Sequence, residues 1–280
     1  MEYSVHKHKV NEQYLGKMYS SFIEAVEHKD NVFIDFVLGN KSLVYSGQDV
    51  FAACFRAIDS NDFQLFNKII KSFDKEYLKE LYTEVVDING NTLLNHVSVF
   101  KTELNTYQIV IPIIHDIDKD LINVEGLAKR TPLLMFVYAH SGIVNPEMSK
   151  IIELFIQYGG DVNAVDYIGA NALFYATQAF NYEIISTLLS HGADTNLVTN
   201  TNQSVVDPFY IVLLNYIGNP RREVIREDFF KSLELFLKYG KIDLDEEYKD
   251  ADSPVSLLEL VKKAKVDKLN KLLSEYKVQL

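Results

Sequence analysis

Apolar residues along this chain fall in helix-length stripes that come in pairs. Counting from the small residue Ala176, apolar side chains stand 8, 12 and 13 positions later, at Ile184, Leu188 and Leu189. The same offsets lead from Ala57 to Leu65, Ile69 and Ile70, and from Ala25 to Phe33, Val37 and Leu38. Residues three and four apart share one face of a helix, so each set marks an amphipathic helix, and the stretch around each alanine marks another before it. No stretch alternates apolar and polar residues as a half-buried strand would. The pattern predicts an all-α chain of short helix pairs, with a small residue where the two helices of a pair approach each other.

The pairs also repeat as longer units. The segment from Ile151 to Asn163 (IIELFIQYGGDVN) returns as Ile184 to Asn196 (IISTLLSHGADTN), and Gly159 lies 33 residues before Gly192. Ahead of the second copy, Asp166-Tyr-Ile-Gly169-Ala-Asn-Ala-Leu173-Phe-Tyr-Ala176 forms an opening, and Thr131-Pro132-Leu133 stands at the matching place one unit earlier. Asp87-Ile-Asn-Gly90-Asn-Thr92 opens a further unit. The period and the form D-x-x-G-x-T-P-L-H-x-A resemble the ankyrin-repeat family. Extending the register both ways gives an ankyrin-repeat solenoid of about seven helix-pair units, near 21–46, 47–82, 87–123, 126–163, 166–196, 203–244 and 252–280. Residues 1–20 form an N-terminal extension, and the terminal repeats are degenerate.

The spacing has a physical cause. One helix pair cannot bury both of its apolar stripes, so neighbouring units must stack into a continuous core. Thr131 can cap a first helix whose first turn holds Pro132, where a missing N–H costs nothing. Gly159, Gly192 and Gly240 fall where second helices end, a place that commonly needs left-handed backbone. The sequence departs from the family form in three ways. Seven extra residues occur around Ser141–Pro146 and about twelve around Ile217–Glu223, and the histidine after T-P-L is replaced by Leu134 and Phe174.

Composition narrows the function classes. Of 280 residues 48% are hydrophobic, enough for a sizeable core, and Gly (12) and Pro (6) are scarce, which favours helices. The net charge of −11 has the wrong sign for gripping phosphates, so direct nucleic-acid binding is not expected. A single cysteine, Cys54, excludes an intrachain disulfide and a Cys-cluster zinc site, and suggests a reducing compartment. Neither a signal-peptide core nor a bilayer-length apolar run is present, so a cytoplasmic protein without membrane insertion is expected.

No nucleotide-binding, zinc-protease or nucleophile-elbow motif occurs, and catalysis, cofactor and metal are not expected. Cys54 aligns with the interior position of Leu173, which favours a packed thiol over a nucleophile. His6 and His8 form the one close histidine pair, in the extension, and His191 precedes a helix-ending glycine. Arg221, Arg222 and Arg226 are interleaved with Glu223, Glu227 and Asp228, as in an internally paired surface loop. The acidic run Asp243–Asp252 reads as a solvated loop. As the alternative function, it would be a charge mimic that occupies a nucleic-acid-binding protein.

The resemblance also implies a binding face, made of hairpin tips and the exposed positions of first helices. Its positions here are Ile88, Asn89, Val99 and Phe100, then Leu127, Ala128, Tyr138 and Ala139, then Tyr167, Ile168, Gln178 and Ala179. Val99, Phe100, Tyr138, Tyr167 and Ile168 are the candidate contact residues for a protein partner, whose identity the sequence does not give. The Lys-, Asn-, Ile- and Tyr-rich composition is similar to that of ankyrin proteins from intracellular bacteria, viruses or phages. That similarity implies a host-directed effector or defence-countering adaptor.

Overall fold

The computed structural model describes residues 22–39, 47–143, 145–219, 224–239, 242–248, 254–276 and 278. Among these residues the chain is helical apart from one short strand pair and an isolated bridge. It divides into two compact units, residues 1–127 and 128–280.

In the first unit α1 (Phe22–Glu27) and α2 (Asn31–Gly39) make one pair, and α3 (Gly47–Asp59) and α4 (Phe63–Lys71) another. After α5 (Lys75–Glu84), α6 (Leu93–Phe100) and α7 (Leu104–Ile117) make a third. α1 packs on α3 and α3 on α6, so first helices stack on first helices. Ala25, Ala57 and Ile69 are fully buried and Val37, Leu65 and Ile70 nearly so, whereas Phe33 and Leu38 are half-buried. The pairing pattern does not foresee α5. Asp74 caps this helix by accepting from the Tyr77 amide at 2.8 Å, and its buried stripe is only Leu78, Leu81 and Tyr82 amid charged neighbours. Three apolar positions in a charged segment are a weak periodic signal.

In the second unit the pairs are α8 (Pro132–His140) with α9 (Pro146–Gln157), α10 (Ala172–Gln178) with α11 (Tyr182–Ser190), and α12 (Asp207–Gly218) with α13 (Glu227–Lys238). The last pair is α14 (Leu257–Ala264) with α15 (Asp267–Glu275), preceded by β1 (Glu247–Tyr248) and β2 (Val255–Ser256), which pair antiparallel. α8 packs on α10, and α12 on α14, while α11 lies between α9 and α13. The helix starts are set locally. Thr131, Asn171 and Asn181 each accept from an amide three residues on, at Leu134 (3.4 Å), Phe174 (2.9 Å) and Ile184 (3.3 Å).

The extra residues near Ser141–Pro146 go mostly into helix. Compared with α10 and α11, α8 is two residues longer, the connection two longer and α9 three longer. Asn181 Nδ2 holds the connection by donating to the carbonyls of Ser141 (2.9 Å) and Ile143 (2.8 Å). The insertion near 217 likewise extends α12, so that Gly218 is its last residue rather than part of a loop, while residues 220–223 lie outside the described residues.

Gly159 and Gly192 have φ of +90° and +82°, and the amides after them return to Phe155 (2.8 Å) and Leu188 (3.0 Å), closing both helices with a left-handed residue. Gly240, assigned the same role from the sequence, lies outside the described residues. A Cβ at position 192 meets no atom within 4 Å, so the cost of a side chain there lies chiefly in the left-handed backbone. Gly192→Val is expected to lose about 1–3 kcal/mol in a urea titration. Gly218→Val, at a helical position with open space around it, is expected to change stability by less than about 0.5 kcal/mol.

Candidate protein-binding surface

The surface is built from hairpin turns that open the repeats. In the second unit the turn Asp166–Ala170 is closed by its own backbone. The Asp166 amide donates to the Ala170 carbonyl at 2.9 Å, and the Gly169 amide to the Asp166 carbonyl at 2.9 Å, with Gly169 at φ +81°. Asp166 Oδ1 accepts from the Ile168 and Ala170 amides at 3.0 and 3.1 Å. These bonds fix the tip residues Tyr167 and Ile168 before any partner arrives.

Neighbouring tips are tied through main-chain atoms. The Tyr167 amide donates to the Ala128 carbonyl at 3.0 Å, and the Asn200 amide to the Ile168 carbonyl at 2.8 Å. Residue 200 belongs to another turn, closed by Thr199 N donating to the Gln203 carbonyl at 2.8 Å, with Asn202 left-handed at φ +61°. Thr199 and Asn202 thus stand where Asp166 and Gly169 stand in the preceding turn. Asparagine tolerates that backbone and a threonine hydroxyl can accept a backbone amide, here that of Gln203 at 3.1 Å. The turn precedes position 203, where the sequence register begins its sixth unit.

The other oxygen of Asp166 organises side chains. Arg130 Nε and Nη2 donate to Oδ2 at 3.3 and 3.2 Å, and Tyr175 Oη donates to it at 2.6 Å. The side chains of Arg130 and Asp166 are only 8% and 0% exposed, so this is a buried ion pair whose carboxylate meets five donors. Burial opposes the Arg130 charge, but Tyr175 and Asp166 outweigh it and the guanidinium is held more firmly protonated than usual. Burial first, and then the bond to Asp166, push the Tyr175 hydroxyl up to about 12. The Arg130 guanidinium lies 3.5 Å from the Tyr138 ring centroid, and Tyr138 meets Tyr175 edge-on at 5.0 Å.

The first unit has the same device with different parts. Asp87 Oδ1 accepts from the Asn89 and Asn91 amides at 2.7 and 2.9 Å, Gly90 stands at φ +80°, and Asp87 Oδ2 meets His96 Nδ1. His96 follows Asp87 by nine residues, as Tyr175 follows Asp166. Burial works to raise the Asp87 carboxyl. Hydrogen bonds from the Asn91 amide, His96 and the Asn89 amide outweigh it and hold the carboxyl below its ordinary range.

The sequence-derived contact residues divide between the units. On α6, Val99 is half-buried, while Phe100 is 55% exposed and rests on the His96 ring at 4.6 Å and the Phe55 ring at 6.3 Å. In the second unit Tyr138 is 45% and Tyr167 61% exposed, and Ile168 is half-buried on the same tip as Tyr167. The sequence reading missed Arg130 and Tyr175, which link Tyr138 to that tip through Asp166. The interval of nine residues from the opening aspartate was a readable signal for Tyr175. Arg130 lies 36 residues from Asp166, beyond any local pattern.

Two of the remaining chemical candidates, Cys54 and His191, have structural roles. Cys54 is fully buried and its thiol is pushed up to about 12 by burial, with Tyr82 opposing, so it is no thiolate at neutral pH. His191 Nδ1 contacts the Thr187 carbonyl at 2.8 Å, close to the helix end. Arg226 pairs with Asp228 at 2.8 Å, while Arg221 and Arg222 lie outside the described residues, as do His6 and His8. Of the acidic run, Asp243, Asp245, Glu246 and Glu247 are exposed, and residues 249–253 lie outside the described residues. Among the described residues no group of three His, Cys, Asp or Glu could hold a metal, and no helix is long and apolar enough to cross a membrane.

Comparison with known proteins agrees with the repeat pattern. Residues 101–199 match a family model described as ankyrin repeats (3 copies). The chain is 24% identical over 184 residues to a putative ankyrin repeat protein of Acanthamoeba polyphaga mimivirus, a match covering 65% of this chain and 22% of that protein. It is 25% identical over 175 residues to an ankyrin repeat protein of monkeypox virus, covering 62% of this chain and 22% of that one. These matches thus span about a fifth of the length of either relative. An ankyrin repeat domain from Acinetobacter baumannii matches in fold with a TM-score of 0.54, at 17% identity, over 81% of this chain and 98% of that one.

Removing one member of a buried ion pair leaves the other uncompensated, so Arg130→Ala is expected to cost about 3 kcal/mol in chemical denaturation. Asp87 has a folded-state pKa below its unfolded value. Its stabilisation is complete above the unfolded carboxylate pKa of about 4 and is lost as pH falls through the folded value. Asp87→Asn should therefore lower stability at neutral pH and flatten the acid limb of a stability-versus-pH curve; an unchanged acid limb would contradict the assignment.

Proposed function

We propose that this chain, which carries ankyrin repeats and takes the ankyrin fold, binds another protein through its hairpin tips and the neighbouring positions of its first helices. Ankyrin repeats generally mediate protein–protein interaction. The contact residues on this reading are Val99 and Phe100 in the first unit and Tyr138, Tyr167 and Ile168 in the second. The observation that carries it is the pair Tyr138 and Tyr167, 45% and 61% exposed, the first ring resting on Arg130 and the second carried on the backbone that the Asp166 turn fixes. An aromatic side chain held in position loses little entropy on binding, which is what an interface anchor requires. No step of this function needs catalysis, cofactor or metal.

The two viral relatives support a finer reading, in which the chain acts in the cytoplasm of a host cell as an effector or defence-countering adaptor. Under the alternative, the acidic run from Asp243 captures a basic protein in place of nucleic acid, and the exposed carboxylates of Asp243, Asp245, Glu246 and Glu247 support it. The readings differ in salt dependence, because exposed charge pairs are screened at a Debye length of about 8 Å under physiological salt while apolar contact is not.

The test is quantitative affinity capture from host-cell lysate with wild type and with the double variant Tyr138→Ala, Tyr167→Ala. Losing two anchors at about 2 kcal/mol or more each should cut recovery of the specific partner at least about tenfold, with the melting temperature within a few degrees of wild type. Undiminished, salt-sensitive capture that disappears on charge reversal at Asp243, Asp245, Glu246 and Glu247 would establish the alternative instead.

A further inference from the structure

The two aspartate hairpins differ in what surrounds them. A Cβ on Gly169 of the Asp166 turn would meet Asn200 at 3.5 Å, and that tip is tied through the main chain to Ala128 and Asn200. A Cβ on Gly90 of the Asp87 turn would meet nothing within 4 Å. Among the described residues, the hydrogen bonds of this tip run only to Asp87, from the Asn89 amide to Oδ1 at 2.7 Å and from the Gly90 amide to the carbonyl at 2.9 Å. Ile88 is wholly exposed, and Asn89 beside it is exposed as well.

The sequence at this tip is reactive. Asn89-Gly90 is the one Asn-Gly step in the 280 residues, and no Asp-Gly step occurs. In such a step the second residue's amide nitrogen can close a five-membered ring on the first residue's carboxamide carbon, with the rate advantage of a tethered reactant. A Cβ on the second residue would crowd that approach; glycine has none, and its backbone turns freely into it. Among the described residues the Asn89 carboxamide has no hydrogen-bond partner, whereas Asn91 Nδ2 donates to Asp87 Oδ2 at 3.3 Å and Asn200 Nδ2 to the Tyr167 carbonyl at 3.2 Å. The Gly90 bond to Asp87 restrains the attack, and a tip with so few contacts opens at little cost.

We propose that Asn89 of the folded chain is a self-modification site, converted through a cyclic imide to aspartate and isoaspartate. The Gly90 nitrogen bonds to Asn89 Cγ, the Cγ–Nδ2 bond breaks, and the displaced nitrogen leaves as ammonia, carrying the proton that Gly90 gave up. Water then opens the imide, at Cγ to give aspartate or at the main-chain carbonyl carbon to give isoaspartate. Water is the only co-reactant, and nothing is oxidised or reduced. Either product places a negative charge at a neutral tip position. Isoaspartate also adds a carbon to the main chain, which puts the turn out of register with Asp87. The reaction needs no partner, so it is independent of the protein-binding reading, although its product alters a tip of that surface.

The test is incubation of the native full chain at neutral and mildly alkaline pH, then digestion, with chromatography and mass spectrometry of the peptide carrying position 89. Asn202, exposed in the corresponding position of the Thr199 turn's left-handed residue but followed by Gln203, is the internal control. Conversion at Asn89 should exceed that at Asn202 by at least about tenfold, and should run within about a hundredfold of its rate in the same chain unfolded in urea. It should rise with pH, because the attacking nitrogen must lose its proton, and should yield both products. The proposal is overturned if Asn89 converts no faster than Asn202, if folding protects it beyond that hundredfold, or if aspartate forms without isoaspartate.

Discussion

The Asp166 side chain has no exposure to water, and a carboxylate in that position persists only if donors meet both of its oxygens. One oxygen takes two amides of its own turn and thereby fixes the tip that carries Tyr167 and Ile168. The other takes Arg130 and Tyr175, and Arg130 in turn supports the Tyr138 ring. Backbone shape and side-chain placement on this part of the second unit therefore depend on one buried charge.

The first unit meets the same requirement with His96 in place of Tyr175 and no arginine among its recorded partners. His96 also supports Phe100, so the aromatic group offered at this hairpin again rests on the residue that satisfies the aspartate. The Thr199 turn does without a carboxylate at its opening position, and its hydroxyl accepts one amide there. Three turns of similar backbone are thus stabilised by a buried ion pair, an imidazole–carboxylate contact and a hydroxyl.

Features that rest on local geometry could be read from the sequence. Gly159 and Gly192 were identifiable because a helix end with φ near +90° or +82° admits few residues, and Ala57 and Ala176 because helices approach there without room for a larger side chain. The exposure of Tyr138 and Tyr167 followed from register once the period was known. What escaped was long-range or weakly patterned. Arg130 finds Asp166 across 36 residues, α5 hides three buried residues among charges, and the Thr199 turn lacks the aspartate and glycine that mark the others. The path of the extra residues near Ser141 was equally hidden, because lengthening a helix and lengthening a loop leave similar compositions.

Two of the bonds between neighbouring tips, Tyr167 N to Ala128 O and Asn200 N to Ile168 O, run entirely through the main chain, and the Asn200 side chain adds a third by donating to the Tyr167 carbonyl at 3.2 Å. Every residue except proline has the main-chain donor and every residue has the acceptor, so the two main-chain ties do not depend on which side chains the tips bear. Position 167 can pass through many side chains without the turn losing its attachment, which separates the inheritance of shape from the inheritance of specificity. A lineage pressed to change its target can rewrite Tyr167 or Ile168 in single steps, whereas changing Asp166 or Arg130 alone leaves a buried charge without its partner.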